Sequence, residues 1–139
     1  MFSDVTRDFL EKNGMGVLTT FRRNGGAQMS VVTCGLYQGT MAFTAEGHRA
    51  KVLNLKRNNR CSLLISQRDW WGYLVLEGEA RILDNNTTRP EKLRLALRDI
   101  YKAAARKDHP DWEEYDEAMT RERRVGIIIV PQKTYGSVL

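Results

Sequence analysis

Five basic side chains lie within ten residues of one another and have the types and spacing to bind an anion. They are His48, Arg49, Lys51, Lys56 and Arg57, in a stretch with helical periodicity. The free N–H groups and the dipole at a helix N-terminus both favour negative charge. An arginine with a lysine beside it is also a good phosphate ligand. The stretch therefore predicts a phosphate site, although a solvated basic helix face explains the same charges.

An aromatic cluster is the second candidate. Trp70, Trp71 and Tyr73 fall within four residues, the two tryptophans in a polar turn between two predicted strands and Tyr73 at the start of the second strand. Such clusters most often belong to a core or a subunit interface, because large aromatic surfaces gain most from burial. Together with an anion site elsewhere in the chain, the cluster also suits a flat anionic cofactor.

Other kinds of chemistry find little support in the sequence. The two histidines, His48 and His109, are far apart, and the Cys-x-x-Cys and His-Glu-x-x-His spacings are absent, so no metal site is expected. The sequence also lacks a Gly-x-Ser-x-Gly elbow and a glycine-rich loop of Walker or Rossmann spacing. We therefore expect neither a serine hydrolase of that type nor a standard nucleotide-binding fold.

Basic residues also line the predicted helix 89–106. They are Arg94, Arg98, Lys102, Arg106 and Lys107. Glu91 and Asp99 are interleaved with them, and no series of aromatic residues accompanies them. A helix that covers a barrel with its polar face in solvent accounts for this pattern, and contact with nucleic acid is the less favoured alternative.

Composition predicts one globular domain over residues 1–139. The 22 Lys and Arg against 17 Asp and Glu give a net charge of +5, and 42% of the residues are hydrophobic. The longest apolar run, 125–130, is too short to span a membrane, and no secretory signal is visible, so a cytoplasmic location is expected. Cys34 and Cys61 are accordingly expected to be free, buried thiols.

Hydrophobic spacing predicts the elements that position these residues. The first predicted helix begins at Ser3, and three further helices are predicted over 46–58, 89–106 and 111–119. Predicted strands cover 15–21, 27–37, 41–45, 61–66, 73–83 and 125–130, with a turn at 131–134 before a short strand at Tyr135. Asn24-Gly25 predicts a type I′ hairpin turn, in which both central residues have positive φ.

Most of these strands are joined by short turns, which predicts antiparallel pairing. Six or seven antiparallel strands with a few helices predict a mainly β, α+β fold, namely a small barrel with peripheral helices.

An ordered series of short motifs covers nearly the whole chain. It comprises Gly16-Val17-Leu18-Thr19-Thr20, Asn24-Gly25, Gln28-Met29-Ser30, Arg49-Ala50-Lys51 with Asn54-Leu55, Trp71-Gly72-Tyr73, Glu77-Gly78, Asp111-Trp112-Glu113-Glu114-Tyr115, Ala118-Met119, Arg123-Arg124-Val125, Val130-Pro131 and Tyr135-Gly136. The series resembles the pyridoxamine 5'-phosphate oxidase-like split β-barrel superfamily, and most closely its deazaflavin branch, the F-420-dependent reductases. The resemblance implies an FMN-binding split β-barrel with Greek-key antiparallel strands.

The resemblance also implies where the phosphate of a cofactor would bind. Arg49 and Lys51 match positions that hold the phosphate, Thr44 and Ala45 flank it, and Asn54 lies close by. These positions include the basic helix start that the residue types alone indicate.

For the ring system, the resemblance implies two groups of residues. Gln28, Ser30 and Val31 would line the ring from the second strand. Trp71 and Tyr73 match positions that approach the cofactor from the other subunit, because such proteins are homodimers with two sites at the interface.

The sequence departs from the family pattern beside the ring. Many relatives have proline where Ala27 stands, and an aromatic run where this chain has Val31-Val32-Thr33. Smaller residues leave the face of the ring less crowded, so the substrate of any relative does not carry over.

The function implied is that of an oxidoreductase dependent on coenzyme F-420, an 8-hydroxy-5-deazaflavin. It would transfer a hydride from the reduced cofactor to a small unsaturated organic substrate. The net positive charge suits the oligoglutamate tail of F-420. The alternatives are an FMN-dependent oxidoreductase of the same fold and a non-catalytic cofactor-binding protein. Catalytic residues are not assigned, and Tyr73, Tyr135 or a bound water are equally open as the proton donor.

Overall fold

Seven antiparallel strands form one curled sheet in the computed structural model, which describes residues 2–139. The strands are β1 Met15–Phe21, β2 Ala27–Thr33, β3 Gly35–Tyr37, β4 Thr40–Glu46, β5 Arg60–Ser66, β6 Tyr73–Leu83 and β7 Arg124–Tyr135. The helices are α1 Asp4–Lys12, α2 Ala50–Arg57, α3 Pro90–Ala105 and α4 Trp112–Arg121. The predicted mainly β, α+β split barrel is confirmed.

The curl of the sheet follows from its connectivity. The strand order is β2-β1-β5-β6-β7-β4-β3, so β2 and β3 lie at opposite ends. Only Cys34 separates these two strands in sequence, which forces the ends of the sheet together. The inward side chains fill the interior, and Leu18, Phe43, Leu63 and Ile127 are each at most 2% exposed.

The single strand predicted over 27–37 is two strands. β2 pairs with β1, whereas β3 pairs with β4, so the chain changes partner at Cys34. The Cys34 N–H donates to the Gly14 carbonyl oxygen at 2.7 Å. The prediction of one strand is therefore wrong, because an apolar pattern carries no information about which strand is the partner.

The turn predicted at 131–134 is also wrong. β7 is continuous from Arg124 to Tyr135 and pairs with β6, with a shift of register between Glu77 and Gly78, opposite Pro131. Proline has no N–H to donate, and a bulge is one of the places where a sheet tolerates it. Pro131 therefore shifts the register of β7 and does not end the strand.

The hairpin predicted at Asn24-Gly25 is present with a different turn. Among these residues only Gly25 has a positive φ, of 85°, whereas a type I′ turn needs two. The Arg22 N–H donates to the Gly26 carbonyl oxygen at 2.9 Å, and the Asn24 side chain accepts from the Gly26 N–H at 2.8 Å. These bonds describe a longer loop with a glycine bulge, so the type I′ prediction is wrong.

The helix predicted over 46–58 begins later than expected. Arg49 is the N-cap of α2, and Glu46 is the last residue of β4. The Gly47 N–H donates to the Arg123 carbonyl oxygen at 2.9 Å, which fixes the start of α2 beside the start of β7.

α3 and α4 cover one part of the sheet. α3 packs on β3 and β4, and α4 is fastened to α3. The Tyr115 hydroxyl donates to the Leu97 carbonyl oxygen at 2.7 Å, and the Arg98 guanidinium donates two hydrogen bonds to the Asp116 carboxylate. Within residues 2–139, no helix is both long enough and apolar enough to cross a membrane.

Candidate functional site

A cavity of about 470 Å³ lies where β2, β4 and α3 meet. Its lining has two parts of different chemistry. The apolar part includes Val31, Val32, Ile100, Ala104 and Ala105, from β2 and α3. The charged part includes Glu46, Arg49, Lys51 and Arg124, from β4, the start of α2 and the start of β7.

Three cations surround a single carboxylate in the charged part. The Arg49 guanidinium donates to the Glu46 carboxylate at 2.9 Å. Arg124 lies directly opposite Glu46 in the β4–β7 ladder, and its own side chain donates to the Glu122 carboxylate at 3.1 Å. Since Lys51 has no ion pair within the described chain, this part of the cavity keeps an excess of positive charge.

The environment of Lys51 disfavours a charged ammonium. The pKa of Lys51 is lowered from its usual value, first by burial and then by the positive charges of Arg49 and Arg124. A bound anion would counter both effects, because it brings negative charge to a partly desolvated cation. The charged part of the cavity thus has the electrostatics of an anion-binding site.

Half of the residues singled out by the resemblance line this cavity. They are Val31, Thr44, Ala45, Arg49 and Lys51. Ala45 is buried, while Val31 is 67% exposed on the edge strand β2. The basic helix start and one of the strands predicted to contact the ring therefore share a single cavity.

Asn54 lies outside the cavity lining and holds neighbouring elements together. It is 6% exposed, and its amide nitrogen donates to the Thr20 hydroxyl at 3.1 Å and to the Gln28 side-chain oxygen at 3.0 Å. Its amide oxygen accepts from the Arg57 guanidinium at 3.0 Å. Asn54 and Gln28 are thus brought together with each other, and they fasten α2 to β1 and β2.

Trp71, Tyr73 and Ser30 also lie outside the lining of the cavity in one chain. Trp71 is 83% exposed, yet its backbone is fixed. Its N–H donates to the Asp69 carboxylate at 3.0 Å, and its carbonyl oxygen accepts from the Ser137 hydroxyl at 2.5 Å. A rigid loop therefore presents a large apolar side chain to the outside.

Arg124 is the site residue that sequence reasoning missed. The signal for it in the sequence is the Arg123-Arg124 pair before an apolar strand, which is also one motif of the resemblance. The antiparallel register that sets Arg124 opposite Glu46 is what places it in the site. The α3 wall was missed as well, because the sequence does not show that Ile100 and Ala104 line the same cavity as β2.

Cys34 and Cys61 are free and buried, as predicted. Burial raises the pKa of Cys34 to about 12 and that of Cys61 to about 11, so both thiols stay protonated near neutral pH. Within residues 2–139, no three His, Cys, Asp or Glu side chains are grouped so that they could hold a metal ion.

Comparison with known proteins gives one family match and many similar structures. A family model described as pyridoxamine 5'-phosphate oxidase matches residues 2–135. A conserved hypothetical protein of Mycobacterium tuberculosis is 22% identical, with a TM-score of 0.76 over 96% of this chain and 83% of its own.

Two further structures differ in what their names say they do. A protein named F420 reductase is 22% identical, with a TM-score of 0.63 over 93% of this chain and 94% of its own. A heme binding protein of Mycobacterium smegmatis is 18% identical, with a TM-score of 0.64 over 96% of this chain and 53% of its own. Identities this low show a shared fold and leave the cofactor open.

Proposed function

This chain belongs to the pyridoxamine 5'-phosphate oxidase family, as its motifs predicted, and we propose that it is an oxidoreductase that uses coenzyme F-420. The proposed reaction transfers a hydride from the reduced deazaflavin to a small unsaturated organic substrate. The observation that carries the proposal is one cavity with an apolar part and a cluster of Arg49, Lys51 and Arg124. A flat ring system joined to a phosphate needs both kinds of surface.

Each lining residue has a role in this proposal. Arg49 and Lys51 bind the phosphate through charge-assisted hydrogen bonds, and Arg124 adds a third positive charge. Thr44 and Ala45 flank the phosphate from β4. Val31 contacts the ring from the open edge of β2, where side chains are small.

When bound, the deazaflavin supplies the carbon that donates the hydride. The chain contributes orientation and exclusion of water, because Ile100 and Ala104 of α3 wall the cavity opposite β2. Gln28 acts indirectly by holding Asn54 and hence α2, so it positions Lys51. No side chain of this cavity is assigned as the proton donor.

A second surface favours F-420 over FMN. A groove beside the charged part of the cavity shares Glu46 and Arg124 with it. Its lining also contains the carboxylates of Glu46, Asp84 and Glu122, which pair with Arg49, Lys56 and Arg124 respectively. Arg121 and Arg123 line the groove without an ion pair within the described residues, so they leave it with an excess of positive charge. Positive charge that continues beyond a phosphate site suits a cofactor with a further anionic tail, which FMN lacks. The structural neighbour named F420 reductase adds support for the same cofactor.

The two histidines do not favour a histidine-ligated haem, although one neighbour is named as a heme binding protein. The side chain of His48 is 70% exposed beside Glu46. His109 Nδ1 accepts from the Asp111 N–H at 3.0 Å, so a neutral ring carries its proton on Nε2 and has no free lone pair there for iron.

A fluorescence titration of the purified protein tests the proposed cofactor. We expect F-420 to bind saturably in the micromolar range and FMN to bind at least tenfold more weakly, because only F-420 has an anionic tail for the basic groove. Stronger binding of FMN would still agree with the proposed phosphate site, but it would assign the chain to flavin chemistry. Binding of neither compound would overturn the proposal.

We also propose that the chain acts as a homodimer with one cofactor site at each end of the interface. The outer face of β1 and β2 exposes apolar side chains next to the cavity. Met15 is 56% exposed and Met29 is 69% exposed, and Val31 extends this patch. A continuous apolar surface of this kind is typical of a protein interface. The partner subunit would then bring Trp71 and Tyr73 to the ring.

The variant Met29→Asp tests the dimer, because it places a charge in the apolar patch without changing a cavity residue. We expect light scattering to give about twice the chain mass of 16.0 kDa for the wild type and the single mass for the variant. We also expect F-420 to bind the variant at least tenfold more weakly. Val5→Asp is the matched control, since Val5 is 60% exposed on α1, outside the patch. A monomeric variant that binds F-420 normally would show that the partner adds nothing to the site.

A further inference from the structure

We infer that a second cationic groove, distinct from the cofactor cavity, binds a chain of condensed phosphates. It has a volume of about 630 Å³ and lies where the β1–β2 hairpin meets the end of α2 and the start of β5. Its charged lining residues, here called the arginine groove, are Arg22, Arg23, Arg57 and Arg60. None of these four residues lines the cofactor cavity.

The arginines of this groove outnumber the carboxylates beside them within the described chain. None of its four guanidinium groups belongs to an ion pair. One carboxylate is near, because Glu79 lies opposite Arg60 in the β5–β6 ladder, but it forms no ion pair with Arg60 and accepts from the Asn59 amide at 3.4 Å. It offsets at most one of the four positive charges. Four like charges around one groove repel each other, and a bound polyanion removes that repulsion.

Two of the four side chains are already oriented. The Arg57 guanidinium donates to the Phe21 carbonyl oxygen at 2.8 Å and to the Asn54 side-chain oxygen at 3.0 Å. The Arg60 guanidinium carbon lies 6.0 Å from the centre of the Phe21 ring, a cation–π distance. Because these contacts restrict both side chains before any ligand arrives, less conformational entropy is lost on binding.

The residue type and the size of the groove point to condensed phosphates. All four cations are arginines, and the planar guanidinium group of an arginine can donate two parallel hydrogen bonds to a pair of phosphate oxygens. A tri- or tetraphosphate concentrates several charges in a compact space, as the groove requires. A single-stranded nucleic acid fits less well, because the only aromatic ring in the lining, Phe21, is half-buried and covered by Arg60, and offers no surface for stacking bases. The phosphate chain could belong to a nucleoside triphosphate or to inorganic polyphosphate.

Isothermal titration calorimetry of the intact protein with sodium tripolyphosphate tests this inference, in a phosphate-free buffer of low ionic strength. We expect tripolyphosphate to bind at least tenfold more tightly than orthophosphate. Arg22→Ala and Arg60→Ala should each weaken tripolyphosphate at least fivefold. Lys92→Ala is the charge-matched control, because Lys92 is exposed on α3 and makes no ion pair in the described chain. Lys51→Ala reports on the cofactor cavity.

The variants distinguish binding in the arginine groove from an effect of net charge and from binding in the cofactor cavity. Equal losses in Lys92→Ala and Arg60→Ala would mean that only net charge matters, and a loss confined to Lys51→Ala would place the ligand in the cofactor cavity. Either result overturns the inference, as does equal binding of orthophosphate. If ATP binds as tightly as tripolyphosphate, the groove recognises the phosphate chain alone. If ATP binds more tightly, the groove serves a nucleotide, and both of these results sustain the inference.

Discussion

The double variant Arg49→Ala, Lys51→Ala is expected to bind F-420 at least 100-fold more weakly than the wild type while keeping its fold. Removing one charge-assisted hydrogen bond costs about 1.5–3 kcal/mol. Two such losses amount to about 3–6 kcal/mol, or roughly two to four powers of ten in affinity. The loss of Arg49 also leaves the Glu46 carboxylate without its 2.9 Å partner, so a less compensated negative charge faces the incoming phosphate.

Stability distinguishes a lost ligand contact from a damaged fold in this double variant. The ammonium of Lys51 is partly desolvated and repelled by Arg49 and Arg124, which lowers its pKa. Removal of Lys51 therefore relieves repulsion, whereas removal of Arg49 gives up a half-exposed ion pair with Glu46 that contributes little to stability. The melting temperature should thus stay within about 5 °C of the wild type. Lys92→Ala, Lys107→Ala is the control with the same change of net charge. If the double variant binds F-420 as tightly as this control, the phosphate site lies elsewhere.

Much of the fold was predictable because local signals agree with the final arrangement. Short connections identified antiparallel pairing, and apolar alternation located most strands, including β6 at 73–83. The exceptions lie where tertiary contacts overrule the local pattern. β2 ends before Cys34 because the chain after this residue pairs with β4 and no longer with β1. Pro131 remains within β7 because β6 offers a bulge opposite it.

The site was predictable in those parts that are close in sequence. Arg49 and Lys51 are two residues apart, and their types alone indicated an anion site. Arg124 is far along the chain, and only the register of β4 and β7 brings it to them. The hydrogen bonds of Asn54 could not be predicted either, because a polar helical residue can bind a ligand or hold neighbouring strands, and its bonds to Thr20 and Gln28 depend on tertiary contacts.

Gly35→Ala is expected to lower the free energy of unfolding by about 3 kcal/mol and the melting temperature by roughly 10 °C. A Cβ at Gly35 would lie 2.2 Å from the carbonyl carbon of Ala103 and 2.3 Å from the backbone nitrogen of Ala104. Both are backbone atoms of α3, so no side-chain rotation relieves the contact. The variant must move α3 away from β3, and a thermal melt followed by circular dichroism measures the cost.

This displacement of α3 also reaches the cofactor, because Ala104 and Ile100 belong to the wall of the proposed site. At a temperature where Gly35→Ala is still folded, we therefore expect F-420 to bind it more weakly than the wild type. Gly26→Ala is the matched control: its Cβ would lie 3.0 Å from the side-chain oxygen of Asn24, which can rotate away by giving up its exposed 2.8 Å bond with the Gly26 N–H, so the cost should be about 1 kcal/mol. If Gly35→Ala melts at the same temperature as the wild type, β3 does not fix the position of α3. If it melts early but binds F-420 normally, α3 is no wall of the cofactor site. The close approach at a single glycine thus links the curl of the sheet to the shape of the cavity.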